Sequence, residues 1–289
     1  MTHRDGGSRA GGSHAPGPSH DDIDGIIARI DAFCDAVPRR QARAETHGPL
    51  VLFVTEGQGW PYYARPRQGP RPAITDEHVR EVRRRQRELR VPQSMEWIEQ
   101  TAPELADAAR AAGLDVAEHP LMVLDGPLVQ ARTTDGVTVR AVHPDEPDLA
   151  RIVAVPDVAF DHRGTRTGHA GPAERDKLAA DRDPASIARM RELLAAGHSV
   201  LAAAFGDEGP LAAGSCQSVN GVSEITGVGT LPSARRRGLG AAVTSELAAL
   251  AIAGGAHTVF LSASDDAVAR VYAGLGFRRI GTAMIAERT

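Results

Sequence analysis

Apolar positions along this chain change period several times, and each change predicts an element. From Asp22 to about Ala44, Ile23, Ile26, Ile27, Ile30 and Phe33 recur at the spacing of one helix face. Pro49–Val54 reads as a buried strand, and Trp60–Tyr63 predicts a second, shorter one. Thr75, followed by Asp76 and Glu77, is a cap for a helix running to about Leu89. Ser94–Ile98 is strand-like. A helix over Pro103–Ala112 is opened by Thr101 and stopped by Gly113, and Leu121–Leu124 is a further strand. Turn residues dominate 126–136 and mark a linker.

A second unit begins at Val137, where Val137–Val142 alternates as a strand. Helices are expected over Asp148–Phe160 and Ala185–Ala196, the latter stopped by Gly197. Between them, Asp161–Arg182 is a loop rich in charge and glycine, placed to shape an acceptor site. Ser199–Phe205, Leu211–Val219 and Gly221–Leu231 read as three antiparallel strands. A long apolar helix (Gly238–Ala253), a strand (Thr258–Ser262), a helix (Ala267–Ala273) and a closing strand (Phe277–Ala286) follow. Strands grouped first and then mixed with helices give an α+β class. The expected organisation is a tail over 1–20, an α/β domain over 21–126 and the main domain over 137–289.

Composition narrows the partners. The chain has 289 residues, 42% of them hydrophobic, and a net charge of -4. That suits globular domains and offers no global basic field for nucleic acid. Lys177 is the single lysine. The arginine-rich stretch Arg80–Arg90 is interrupted by Glu81 and Glu88 and lacks interleaved aromatics, which fits a solvated helix face. Cys34 and Cys216 have no metal-site spacing, so neither a disulfide framework nor a metal is expected. No apolar run reaches membrane length and no signal peptide is visible. A cytoplasmic protein is the expectation, with a homo-oligomer compatible with it. The tail, with His3, His14 and His20 among Gly, Ser and Pro, cannot bury apolar surface and is expected to be disordered.

The most informative segment is Leu231-Pro-Ser-Ala-Arg235-Arg236-Arg237-Gly238-Leu239-Gly240-Ala241. A strand ends, a loop follows, and a helix starts at the glycines. A helix N-terminus offers free N–H groups and about half a positive charge, glycines allow close approach, and arginines stand beside it. These features suit a diphosphate. No Gly-Lys-Ser/Thr is present for a P-loop. Gly227 and Gly229 lie within a strand with Pro232 where a third glycine would be needed, which excludes a dinucleotide fingerprint.

Arg235, Gly238 and Gly240 occupy the positions of the Arg/Gln-x-x-Gly-x-Gly/Ala loop of the GNAT family of N-acetyltransferases. The ending Asp265-Asp-Ala-Val-Ala-Arg-Val-Tyr272-Ala-Gly-Leu-Gly276-Phe277 is similar to that family's closing helix and Leu-Gly-Phe turn. The resemblance covers roughly 137–287. It implies an acetyl-CoA-dependent transferase acting on an amine of a small molecule, peptide or protein. The backbone of Gly229, Thr230 and Leu231 would meet the thioester and pantetheine, and the amides of Arg236–Ala241 would hold the diphosphate. Asp265 stands where the family often has an asparagine that meets pantetheine. An alkyl amine, with a pKa of about 10.4, is almost wholly protonated at pH 7, so a general base is useful. Glu224 matches the catalytic glutamate of the histone-acetylating branch, and Tyr272 matches the tyrosine that serves the leaving sulfur. His162, His169 and His198 are further substrate-side candidates. Ser94–Leu124 is similar to a worn copy of the same closing half, which implies a degenerate GNAT-like N-terminal region. Two alternatives stay open: a CoA-binding module without turnover, and a transferase of a larger acyl group or onto oxygen.

Overall fold

The computed structural model describes residues 20–55, 62–132, 134–162 and 164–288. The expected disordered tail and the start of the Trp60–Tyr63 strand lie outside the described residues. No helix among the described residues is long and apolar enough to cross a membrane.

Among the described residues, eleven strands form one sheet that runs through both regions. The first region contributes β1 (Ala42–His47), β2 (Leu50–Thr55), β3 (Ala64–Pro66), β4 (Ser94–Ile98) and β5 (Asp115–Leu124). The second contributes β6 (Thr138–Ala141), β7 (Val200–Gly206), β8 (Gly209–Val219), β9 (Val222–Thr230), β10 (Thr258–Ser262) and β11 (Phe277–Glu287). The order across the sheet is β1-β2-β3-β4-β11-β5-β10-β9-β8-β7-β6. Each region repeats one scheme. Antiparallel strands lead into a parallel pair, β3 with β4 and β9 with β10, while the remaining pairings are antiparallel. A helix crosses over within each parallel pair: α2 (Asp76–Leu89) in the first and α7 (Leu239–Ala253) in the second. A shorter helix, α3 (Leu105–Ala111) or α8 (Asp266–Ala273), then leads into a long last strand. The two last strands are exchanged. β11 lies between β4 and β5, and β5 lies between β11 and β10.

Three apolar clusters hold this arrangement. The largest packs α4 (Leu149–Asp161) and α7 on β7–β9, with Ile152, Val243 and Leu247 fully buried. A second packs α2 and α3 on β2 and β4. The third places Ile27, Ile30 and Phe33 of α1 (His20–Ala36) against Ile98, Leu121, Val222 and Phe260, which come from both regions. Truncating such a buried leucine or isoleucine to alanine costs about 2–5 kcal/mol.

The differences from expectation have local causes. The first helix stops at Ala36 rather than near Ala44, because Val37-Pro38 turns the chain and Ala42–His47 pairs with β2. Tyr62 and Tyr63 precede a strand at Ala64–Pro66 rather than forming one. The strand expected at Leu121–Leu124 starts at Asp115, and Pro120 is tolerated where β10 has ended and only β11 still pairs fully. The expected loop Asp161–Arg182 contains α5 (Pro172–Ala180), whose interior anchor is polar. Arg175 is fully buried and donates to the carbonyls of Pro210 at 2.6 Å and Glu208 at 2.8 Å. Helix α6 (Pro184–Ala195) begins one residue earlier than expected, with Asp183 accepting from the Ala185 N–H.

Candidate active site

The parallel ladder between β9 and β10 is short. Val222, Ser223 and Glu224 pair with Thr258, Val259 and Phe260, and no pair forms beyond Glu224. β10 then stays with β5 alone, while Ile225–Thr230 continue along β8. The two strands therefore part and leave one edge of β9 without a neighbour. Gly227, at φ +64°, makes a bulge opposite Gly214 that bends β9 at this point. Gly229 has a packing reason to lack a side chain: a Cβ there would stand 2.8 Å from Pro156 Cα of α4.

The open edge leads to the N-terminus of α7. Arg236 and Gly238 both take left-handed backbone conformations, with φ of +66° and +75°. Alternation of this kind turns successive N–H groups inward and makes an anion-binding concavity. Gly238 is the cap residue, no side chain caps the helix, and no acidic residue lies in its first turn. Leu239 is buried, Gly240 faces Thr230, and Ala241 continues the first turn. Arg236 lines a cleft of about 560 Å³ with Arg166 and Thr167. Arg237 is exposed, and its carbonyl accepts from Thr134 of the linker at 2.9 Å.

Arg235 faces inward. Its guanidinium donates to the carbonyls of Ala159 at 2.9 Å, His162 at 2.7 Å, Arg166 at 3.1 Å and Thr230 at 3.3 Å. It thus ties the end of α4 and the following loop to the helix start. Asp265 is also committed: Oδ1 accepts from the N–H groups of Ala267 and Val268 and caps α8. Tyr272 of α8 is buried, tilted against Phe277, with the Thr244 side chain of α7 beside its hydroxyl. Burial pushes this phenol up to about 12. His162 is fixed to the Val158 carbonyl at 3.0 Å, while His169 and His198 are exposed.

Glu224 stands at the last ladder pair, where β9 and β10 part. Burial pushes its carboxyl up to about 7, with Arg65 opposing the rise. Sequence reasoning missed Arg65 of β3 and Glu96 of β4, which face the same cavity. Burial, then the charge of Glu224, pushes Glu96 up to about 8. The available signal was one acid within the otherwise apolar strand Ser-Met-Glu-Trp-Ile. Among the described residues, no group of three or more His, Cys, Asp or Glu side chains is placed to hold a metal ion.

Comparison with known proteins matches residues 203–285 to the family described as FR47-like protein, which is GNAT-related. A GCN5-related N-acetyltransferase of Kribbella flavida superposes with a TM-score of 0.65 at 25% identity, covering 91% of this chain and 95% of that one. The C-terminal half has the GNAT fold. The whole GNAT architecture, N-terminal region included, is similar in fold to two further proteins. One is a tandem GNAT protein from the clavulanic acid biosynthesis pathway, with a TM-score of 0.53 at 16% identity, covering 93% of this chain and 96% of that one. The other is a GCN5-related N-acetyltransferase of Sphaerobacter thermophilus, with a TM-score of 0.52 at 17% identity and 93% of both chains covered. No curated protein matches the sequence.

Proposed function

We propose that this GNAT protein is an N-acetyltransferase that moves the acetyl group of acetyl-CoA to an amine. One observation carries the reading. The open edge of β9 leads directly to an uncapped helix start flanked by Arg166 and Arg236. The exposed backbone suits an extended amide-bearing arm, and the helix start suits its diphosphate. The fit to CoA is therefore good at both ends.

The chemistry follows from proton bookkeeping. The acceptor arrives as an ammonium ion, and Glu224, ionised, takes one proton from it directly or through water. The freed lone pair forms the C–N bond at the thioester carbonyl carbon, the C–S bond breaks, and the second nitrogen proton passes to the departing thiolate, so that the products are a neutral amide and the CoA thiol. Tyr272 serves that sulfur. With a phenol near 12 and a thiol near 8.5, Tyr272 donates a hydrogen bond to the thiolate rather than surrendering its proton. A base with a pKa of about 7 is matched to neutral pH.

The test is calorimetric titration of the full chain with acetyl-CoA, CoA and NAD. Micromolar binding of acetyl-CoA without NAD binding supports the reading. No binding of either CoA species would sink it.

A further inference from the structure

The carboxylate of Glu224 opens onto a cavity of about 60 Å³ that both halves of the sheet build. Its apolar walls are Ile30 of α1, Ile98, Leu121 and Phe260. Such a volume holds more than one water-sized group. Three charged side chains face it: Arg65, Glu96 and Glu224. Arg65 is 1% exposed. Its Nη2 donates to Asp31, while Nε and Nη1 have no partner among the described residues. Neither Glu96 nor Glu224 accepts a hydrogen bond or lies in an ion pair among the described residues.

The charges around this cavity do not balance. Asp31 of α1 pairs with Arg65 and so cancels it. Among the described residues, two carboxylates then share one small space with a single guanidinium that Asp31 already partners. Both are held above the ordinary carboxylate range, by burial first. The other titratable groups here, Cys34 and Tyr63, are pushed upward by burial and stay neutral. A closed core would replace such a pair with apolar side chains or supply a cation. The cavity also sits where the reaction would need it, since Glu224 and Phe260 form the last pair before the strands part.

We propose that this cavity is the amine pocket of the acceptor site, that Glu96 is its second carboxylate, and that the acceptor is a primary aliphatic amine on an apolar stem. This rests on the acetyltransferase reading above. The ammonium group donates to Glu224 and, by its charge, drives the Glu96 proton out to solvent so that it donates to that carboxylate too, and its methylene stem lies against Ile98, Leu121 and Phe260. Transfer to Glu224 leaves a neutral amine for attack. The amide product carries no charge, so the pair no longer holds it and release follows. The catalytic half thus takes half of its amine pocket from the region that has no diphosphate loop.

The test uses the full chain saturated with CoA and labelled with ¹⁵N. Ile98 lines the cavity beside Glu96 and packs with Leu121 and Phe260, so its backbone amide resonance is the reporter. Addition of n-butylammonium chloride at pH 7 should shift this resonance saturably, and n-butanol should not. Glu96→Gln should weaken the amine at least tenfold with CoA affinity unchanged, which also reports that the variant is folded. Glu96→Asp should restore part of the loss. A chain that binds CoA but gives no saturable shift overturns the proposal. An equal response to n-butanol, or unaltered affinity in Glu96→Gln, does the same. Failure to bind CoA at all is a separate result that removes the acetyltransferase reading together with this one.

Discussion

Helices α2 and α7 occupy corresponding places in the two halves, each crossing over between two parallel strands. Their first turns differ in a way that decides what each can bind. Helix α2 starts with Thr75, Asp76 and Glu77, and the Thr75 N–H is taken by His78 Nδ1 at 3.1 Å. The helix dipole is answered internally and an anion would meet two carboxylates. Helix α7 starts at a glycine with no cap and no acid, behind three arginines. The strands before the helices differ as well: β3 has three residues and one ladder pair with β4, whereas β9 runs on past its ladder. The same scaffold therefore leaves an uncapped, acid-free helix start, which the proposed diphosphate site needs, in one of these two helices. One step along the sheet the contrast continues. Ala64 pairs with Met95 as Ser223 pairs with Val259, and the next residue is Arg65 in one half and Glu224 in the other.

The sharpest way to break this contrast is to give α7 the start of α2. Gly238→Asp places a carboxylate at the proposed diphosphate site, where a like charge at about 4 Å costs roughly 4 kcal/mol at an effective dielectric near 20. CoA affinity should fall about a thousandfold. Gly238→Asn shares the backbone strain of φ +75° without the charge, so it should bind CoA better than the aspartate variant. Equal affinities in calorimetry would show that strain, and not charge, is responsible.

Glu224→Gln tests the chemical side of the contrast. The expected loss in kcat/KM is about 10²- to 10⁴-fold, with CoA affinity retained. In the native chain kcat/KM should rise as the pH passes about 7, because the base must lose its proton. The glutamine variant should lack that limb. A retained limb would move the base elsewhere.

Tyr272→Phe should lower kcat roughly tenfold while leaving CoA affinity within about threefold, since one hydrogen bond to a charged group contributes about 1.5–3 kcal/mol at most. An unchanged kcat would leave Tyr272 as packing against Phe277.

The smallest effect is on stability. Glu96 is an acid whose folded pKa is raised, so the folded state holds its proton over a range in which the unfolded chain has lost it. Stability should then fall as pH rises from about 4.5 to about 8, and Glu96→Gln should remove part of that fall. At pH 9 the variant should melt higher, by roughly 2–4 °C for each kcal/mol of relieved strain. A lower melting point would mean that Glu96 makes a stabilising contact as an anion.

What was legible in the sequence was local. The loop from Leu231 to Ala241 could be read because a strand end, an arginine run and a helix start are consecutive. The long helix over Gly238–Ala253 and the strands around it are strongly apolar. Helix α5 was illegible because its buried anchor is Arg175, which a hydrophobic pattern counts as surface. β1 was hidden by Arg43, Glu45 and His47, polar residues that favour no apolar period. The commitment of Arg235 to four carbonyls is likewise invisible in a motif that reads it as a phosphate neighbour. The cavity was beyond reach for a different reason. Arg65, Glu96 and Glu224 are brought to one place by strand order and the exchange of β5 and β11, not by any spacing along the chain.

That exchange has a consequence for how the protein comes into being. β11 is the last strand described, and it is needed to separate β4 from β5 in the first half of the sheet. A nascent chain cannot finish its N-terminal half and set it aside. The first half must wait, with edges of β4 and β5 unpaired, until residues 277–287 have emerged. Pairings this distant in sequence make folding slow and all-or-none. Thermal unfolding should show one transition rather than two, and neither half should fold when expressed without the other.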